Sequence, residues 1–122
     1  MEALGTFILV FFYLTQTEEK TMFSREKAIN CFIIASSYIA ARSMCAASHV
    51  TKSGACLNPA IAIGTTFAML FDDGGFYFKW IWLYGGVPFG GAIVAVLFYE
   101  FVFKKTQEVL NEEEDDPDAL LD

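Results

Sequence analysis

Basic side chains and histidine are scarce in this sequence. Its 122 residues contain 8 Lys and Arg against 15 Asp and Glu, and a single histidine, His49. Without a basic patch or interleaved aromatic and basic residues, nucleic acid is excluded as a partner. No Ser/His/Asp, metal-spaced or phosphate-loop arrangement is present, so the sequence predicts no enzyme, no metal site and no cofactor. His49 is expected to be a packed or interfacial residue rather than a ligand.

Cysteine is also scarce, and its pattern excludes a disulfide framework. The three residues, Cys31, Cys45 and Cys56, lie in apolar segments or next to one. An odd count inside apolar segments argues against structural disulfides. These cysteines are therefore predicted to be small buried apolar side chains.

The acidic charge is confined to one end of the chain. Residues 106–122 hold eight of the 15 acidic side chains and no basic one, so the rest of the chain is near neutral. Such a tail is ordinarily disordered and solvated. It contains Asp116-Pro117-Asp118-Ala119-Leu120-Leu121, which fits an acidic dileucine sorting pattern. A solvated tail or a docking strip for a basic partner is the competing interpretation.

Apolar residues make up 55% of the chain, with 13 Phe, 5 Tyr and 2 Trp, far above a soluble domain of this size. Apolar segments run over residues 1–17, 28–50 and 76–103, and a shorter one covers 58–70. The last covers only about 20 Å and is too short to cross the hydrocarbon. The sequence predicts an all-α membrane protein with three transmembrane helices plus one re-entrant half-helix, followed by an acidic tail from residue 106.

The distribution of basic residues predicts the orientation in the membrane. Trp80, Trp82 and Tyr84 form an aromatic belt at the start of the third segment. Three crossings place one set of basic residues on the same side as the C-terminus: Lys20, Arg25, Lys27, Lys104 and Lys105. The opposite side has only Lys52 and Lys79, so the C-terminus is predicted to lie inside.

The most informative stretch is Ser53-Gly54-Ala55-Cys56-Leu57-Asn58-Pro59-Ala60. Asn is a strong N-cap, and Pro is well placed at the first helical position. The stretch therefore predicts a loop that starts a short helix inside apolar surroundings. A helix N-terminus carries free N–H groups and partial positive charge, which inside a membrane need protein packing or a water-filled cavity.

The sequence resembles the second half of an aquaporin, of the major intrinsic protein family, over roughly residues 1–103. The matching patterns are Glu2-x-x-Gly5-Thr6-x-x-Leu9-Val10, Ser53-Gly54-x-x-x-Asn58-Pro59-Ala60, Gly64 in the half-helix, and Trp80-Ile81-x-x-Tyr84-x-x-x-Pro88-x-x-Gly91 ending at Tyr99-Glu100. By resemblance, Asn58 donates its amide to a permeating solute, while Pro59 and Ala60 pack against a second N-P-A box. Glu2 and Gly54 would support the loop, and Gly86 and Gly90 form a G-x-x-x-G face for close packing.

The sequence departs from the family at the selectivity filter. The arginine that normally follows the N-P-A box is replaced by Ile61, and the other two filter positions fall on Ala46 and Ala55. This filter would be wide and apolar, without fixed positive charge. Arg42, about one turn from Ala46, could take the place of the missing filter arginine. The competing interpretation is that Arg42 pairs with Glu2 or Glu100, or extends its side chain to the membrane surface.

Half of the family's fold has no counterpart in these 122 residues, which leaves two hypotheses. In the first, the chain is a channel half for water or small neutral solutes, completed by a second copy, by a separate N-P-A-bearing half, or as a fragment of a longer product. In the second, it is a non-conducting half-aquaporin kept as an accessory subunit of a large membrane complex, for example a respiratory-chain assembly. The first expects the plasma membrane or endosomes, and the second allows the mitochondrial inner membrane.

Overall fold

The computed structural model describes residues 1–46 and 55–115, and the elements in these ranges are all helical. They are α1 (Glu2–Thr17), α2 (Lys27–Ala46), α3 (Pro59–Asp73), a 3-10 helix (Gly74–Trp80), α4 (Ile81–Phe98), a π-helix (Tyr99–Phe103) and α5 (Lys104–Asp115). His49, Gly54 and the sorting pattern at 116–121 lie outside the described residues.

Helix α1 occupies the centre of the packing. It contacts both α2 and α4, while α3 packs against the 3-10 helix and α4. The α1–α4 contact is close because Gly91 lacks a side chain: a Cβ there would overlap the backbone of Ala3. Aromatic rings extend the same contact, with Phe11 of α1 lying 5.6 Å from Phe98 and 5.2 Å from Phe103 between ring centroids.

The side chains are distributed in the reverse of a soluble protein. The buried apolar residues are mostly small, for example Ala41, Cys45 and Ala95, each 0% exposed. Large apolar side chains point outward instead, such as Phe32 at 73% and Trp82 at 67% exposed. Small residues at helix contacts and large apolar residues on the outside are typical of helices that pack within lipid.

Within the described residues, two helical stretches are long and apolar enough to cross a bilayer. They are Lys27–Ala46 and the continuous stretch Gly74–Asn111. Helix α1 has 16 residues and α3 has 15, which gives lengths of about 24 and 22 Å. The all-helical membrane class agrees with the sequence, whereas the count of three crossings plus one half-helix stays a prediction.

The ends of several elements differ from those predicted. Helix α3 begins at Pro59, as the Asn-Pro pair predicts, but continues past residue 70 to Asp73. Gly74, at φ +62°, ends α3, and a 3-10 helix follows where the sequence predicted a turn at 72–75. Beyond residue 103 the chain stays helical to Asp115, so the tail predicted from residue 106 begins as a helix.

Candidate functional site

The carboxylate of Glu2 holds the loop that leads into α3. Glu2 lies in the first turn of α1 and is buried. Its Oε1 accepts the Cys56 N–H at 2.8 Å, and its Oε2 accepts the Leu57 N–H at 3.0 Å. Two backbone donors on one carboxylate fix both the position and the direction of the loop. Thr6, one turn further on, donates to the Glu2 carbonyl at 2.9 Å within the helix.

The loop reverses direction at Leu57, the one non-glycine residue with positive φ (+56°) among those described. A left-handed conformation disfavours a residue with a Cβ, and surrounding structure must hold it in place. Here the Glu2 carboxylate holds the Leu57 N–H, and the side chain is buried in a cluster with Ala41, Cys45 and Ala55. Gly5 makes room for it, since a Cβ on Gly5 would come within 2.5 Å of Leu57 Cδ2.

Asn58 caps α3 and leaves its amide nitrogen outward. Its Oδ1 accepts the Ala60 N–H at 2.9 Å, while its carbonyl accepts the Ala62 N–H at 3.1 Å. Because Oδ1 accepts this cap hydrogen bond, the N–H groups of Nδ2 are the donors that the side chain presents. Asn58 and Ala60 are both exposed, with Pro59 half-buried between them. The N-P-A box thus forms an uncovered helix N-terminus with hydrogen-bond donors at its tip.

The three predicted filter positions do not share one open surface in this chain. Ile61 is 42% exposed beside the N-P-A box, and Ala46 is exposed at the end of α2. Ala55 is buried, with its side chain in the cluster described above. Arg42 is exposed and donates to the Tyr38 hydroxyl at 3.3 Å, and within the described residues it forms no ion pair with Glu2 or Glu100. The role of Arg42 in a filter stays a prediction.

The predicted glycine face is free of contacts within the described residues. A Cβ built on Gly86 or Gly90 would meet nothing within 4 Å. The close contacts are made by two other glycines, Gly5 and Gly91, which the sequence analysis noted only as parts of family patterns. Gly86 and Gly90 are left on an open surface of α4.

A comparison with protein-family models assigns residues 1–99 to the family described as Major intrinsic protein. The chain belongs to this family. The match covers the Glu2 contact, the N-P-A box and α4 together. No curated protein and no solved structure matches the chain.

Membership of the major intrinsic protein family makes this an aquaporin-like membrane protein. Its members lie in the lipid bilayer, are channels rather than enzymes, and often form oligomers. The reversed burial pattern of this member, with large apolar side chains outward, agrees with a lipid environment. The Asn58 tip and the Glu2 contact both lie within the family match.

At the end of the family match, this member carries a polar cluster that sequence analysis missed. Tyr99 donates its hydroxyl to Glu18 Oε2 at 2.6 Å, and the Lys104 ammonium lies 2.8 Å from Glu18 Oε1. Thr21 lies 2.8 Å from the Tyr99 hydroxyl. The hydrogen bond from Lys104, and then that from Tyr99, hold the pKa of the Glu18 carboxyl below its ordinary value. The cluster ties the end of α1 to the last part of the long helix.

The π-helix explains why this cluster forms. Tyr99 and Lys104 are five residues apart, and the Lys104 N–H donates to the Tyr99 carbonyl, the hydrogen bond of a π-helix. In an α-helix these positions would lie about 140° apart around the axis. The wider turn brings both side chains onto the face that meets Glu18. No signal in the sequence announces this change of helix type.

Proposed function

We propose that this chain forms one half of an aquaporin-like pore for water or small neutral solutes, and that a second half completes the pore. The observation that carries the proposal is the Asn58 amide at the exposed start of α3. Its oxygen caps the helix, so its nitrogen is directed to donate a hydrogen bond to whatever lies at the tip.

The chemistry of this tip favours a neutral solute that accepts hydrogen bonds. Helix N-termini carry partial positive charge, which attracts lone pairs and opposes the passage of cations. Ile61, exposed beside the tip, adds apolar surface and no charge. Water or a small neutral molecule meets these conditions, and an ion does not.

A second half is required because the tip of α3 is uncovered. At about 22 Å, α3 does not reach across the hydrocarbon, so its tip lies within the membrane; Asn58 accepts the Ala60 and Ala62 N–H groups there, which leaves the donors of the Asn58 side-chain amide to be covered. Unsatisfied groups there cost several kcal/mol each (~2–7) unless protein or water covers them. A second copy of this chain, or another N-P-A-bearing half, would supply both the cover and the opposing asparagine.

The orientation proposed for this half has the C-terminus inside. Lys20 and Lys104 lie at the same end of the packed helices, since Lys20 bonds Glu108 of α5 at 3.4 Å and Lys104 bonds Glu18. This end carries most of the basic residues that flank the apolar segments. The positive-inside tendency therefore supports a cytoplasmic, or organellar-equivalent, C-terminus.

A non-conducting accessory subunit is the second candidate. It is favoured by the dispersed filter positions, with Ala55 buried, and by the open surface around Gly86 and Gly90. Small residues on an outward helix surface let another transmembrane helix approach closely. In that case the occupants of the surface are other membrane subunits of a larger complex.

The test begins with the native assembly, extracted in mild detergent and identified by mass spectrometry. A species that contains only this chain, or this chain with a second N-P-A-bearing half, is expected for a pore. It is then reconstituted in vesicles, and water and small-solute flux are measured by light scattering. A large assembly of unrelated subunits without flux would support the accessory role instead.

The decisive variant is Asn58→Asp, which keeps an oxygen for the Ala60 N–H and removes the amide donor. The helix cap is therefore retained while flux is expected to fall to the level of empty vesicles. Asn111→Asp, an exposed change of the same chemistry on α5, is the matched control. Equal flux in Asn58→Asp and in the control would show that the amide does not serve the solute.

A further inference from the structure

A cavity of about 380 Å³ lies between α3 and the start of the long helix, and one end of it is lined by Cys56 and Ala62, close to the Asn58 tip. One wall is formed by Thr65 and Thr66 of α3. The opposite wall is formed by aromatic side chains of the 3-10 helix and the first turn of α4, which are Phe76, Tyr77, Trp80 and Tyr84. The two walls meet where Phe67 of α3 packs edge-on against Phe78 of the 3-10 helix, with 5.2 Å between the ring centroids.

The aromatic wall is suited to a cation. The face of an aromatic ring is electron-rich and attracts ammonium groups within about 6 Å of its centre. Lys79 demonstrates this locally, since its Nζ lies 4.0 Å from the centre of the Phe76 ring and 5.4 Å from that of Trp80. Four rings around one cavity form the kind of aromatic cage that binds quaternary ammonium groups.

The threonine wall offers no free hydroxyl hydrogen to an anion. The Thr65 hydroxyl donates to the Ile61 carbonyl at 2.8 Å, and the Thr66 hydroxyl donates to the Ala62 carbonyl at 2.8 Å. Both hydrogens are therefore committed within α3, and what the hydroxyls present to the cavity is oxygen lone pairs. A positive group gains from this wall, whereas a phosphate inside the cavity would find no donor on it.

The sequence around the aromatic wall assigns that end of the cavity to the membrane surface, whereas the Cys56 end adjoins the N-P-A loop. The strongly apolar stretch of α4 begins at Ile81, and the 3-10 helix before it carries Lys79 and follows Asp72. Trp and Tyr side chains concentrate at this level of a bilayer. The molecules that carry quaternary ammonium groups at this depth are choline lipids.

We propose that this cavity binds the headgroup of a phosphatidylcholine lipid. The trimethylammonium group lies against the rings of Tyr77, Trp80 and Tyr84, and the phosphate pairs with Lys79 at the edge of the aromatic wall. A trimethylammonium group has no N–H donors to satisfy, so it suits a wall of rings better than the primary ammonium of phosphatidylethanolamine. The tests of this site measure lipid binding and not solute flux, so a failure of this proposal is distinguishable from a failure of the proposed pore.

The test uses Trp80 as a reporter. The chain has two tryptophans, so Trp82→Phe leaves Trp80 alone, and Trp80→Phe leaves the outward Trp82 alone. Both variants are placed in phosphatidylglycerol nanodiscs with a rising fraction of phosphatidylcholine. A saturable change of Trp80 emission is expected, with none for Trp82. Free phosphocholine is expected to reverse the Trp80 change by competition, because the headgroup carries the contacts.

Native mass spectrometry of the bound lipid gives the second readout. Tyr84→Leu is expected to weaken phosphatidylcholine retention about tenfold, while Tyr84→Phe, which keeps the ring, retains it. Tyr13→Leu, an exposed tyrosine on α1, is the control for a general effect on lipid contact. Equal retention of phosphatidylglycerol, phosphatidylethanolamine and phosphatidylcholine, no effect of Tyr84→Leu, or no competition by phosphocholine would each overturn the proposal.

Discussion

The contact between Glu2 and the loop before α3 allows a prediction with a worked magnitude. In Glu2→Gln, the remaining side-chain oxygen accepts one of the two backbone N–H groups. The new NH2 group then lies opposite the second N–H, and two donors cannot form a hydrogen bond. In Glu2→Ala, the N–H groups of both Cys56 and Leu57 lose their acceptor. A hydrogen bond to a charged group contributes about 1.5–3 kcal/mol, and a buried donor without a partner costs about 1–3 kcal/mol.

These values give a graded expectation. Glu2→Gln should lower the free energy of unfolding by about 2 kcal/mol, and Glu2→Ala by about 4 kcal/mol. Two N–H groups that each lost the largest amount in this range would cost more than the figure given for Glu2→Ala. The expected cost is lower because Cys56 is only partly buried, so water can reach its N–H. Leu57 is buried at 4% exposure, so its N–H bears most of the loss.

The assay is thermal or denaturant unfolding in mild detergent, followed by circular dichroism, together with amide exchange at Cys56 and Leu57. Glu19→Gln is the matched control, because Glu19 is exposed and its side chain makes no hydrogen bond or ion pair within the described residues. Exchange at the two loop amides should rise in both Glu2 variants. The reasoning is refuted if Glu2→Gln unfolds like the control and the two amides exchange as in the unaltered protein.

Two further predictions concern the contacts of α1. Gly91→Ala should destabilise the protein by about 1–3 kcal/mol, because the new methyl group overlaps the backbone of Ala3. Gly90→Ala is the control, since its methyl group meets only open space and should leave stability unchanged. Equal unfolding midpoints for the two variants would contradict the close approach of α1 and α4. The stabilisation from the Glu18–Lys104 pair should be present above pH 4.5 and be lost as the pH falls through the depressed pKa of Glu18. Acid titration of unfolding checks this, since Glu18→Gln should show a smaller loss of stability between neutral and acidic pH than the unaltered protein; parallel curves would speak against the pair.

The start of α3 could be predicted from sequence because its signals are local. Asn58 and Pro59 act within one turn, through a cap and a fixed φ, and need nothing from the rest of the chain. The placement of Glu2 against the loop has a different origin. This contact was predicted only through the family resemblance, since no local rule connects Glu2 with Cys56 and Leu57, which lie more than fifty positions away in the sequence.

The end of the long helix shows where sequence reasoning failed. The acidic composition after residue 106 predicts a solvated tail, yet α5 runs to Asp115. Lys, Gln, Glu and Leu are good helix formers, and no Gly or Pro follows Gly91 until Pro117, so no residue in this stretch interrupts the helix. Composition does not specify backbone conformation, and it gave no indication of the helix over Lys104–Asp115.

The buried position of Ala55 escaped prediction for a tertiary reason. Its assignment to the filter used an offset along the chain, which cannot say which way a loop side chain points. The positive φ at Leu57 turns the chain, and Ala55 then packs beside Cys45 of α2. A loop held by contacts with two other helices is the kind of structure that local patterns do not encode.

The π-helix at Tyr99–Phe103 also bears on how related sequences are aligned with this one. The family match stops at residue 99, the residue at which the helix type changes. A π-turn contains one residue more than an α-turn. An alignment that treats the long helix as a uniform α-helix is therefore shifted by one residue after the π-helix. For a relative whose helix stays α-helical over this stretch, such an alignment would equate Lys104 with the neighbour of its counterpart. A one-residue gap placed inside 99–103 restores the correspondence.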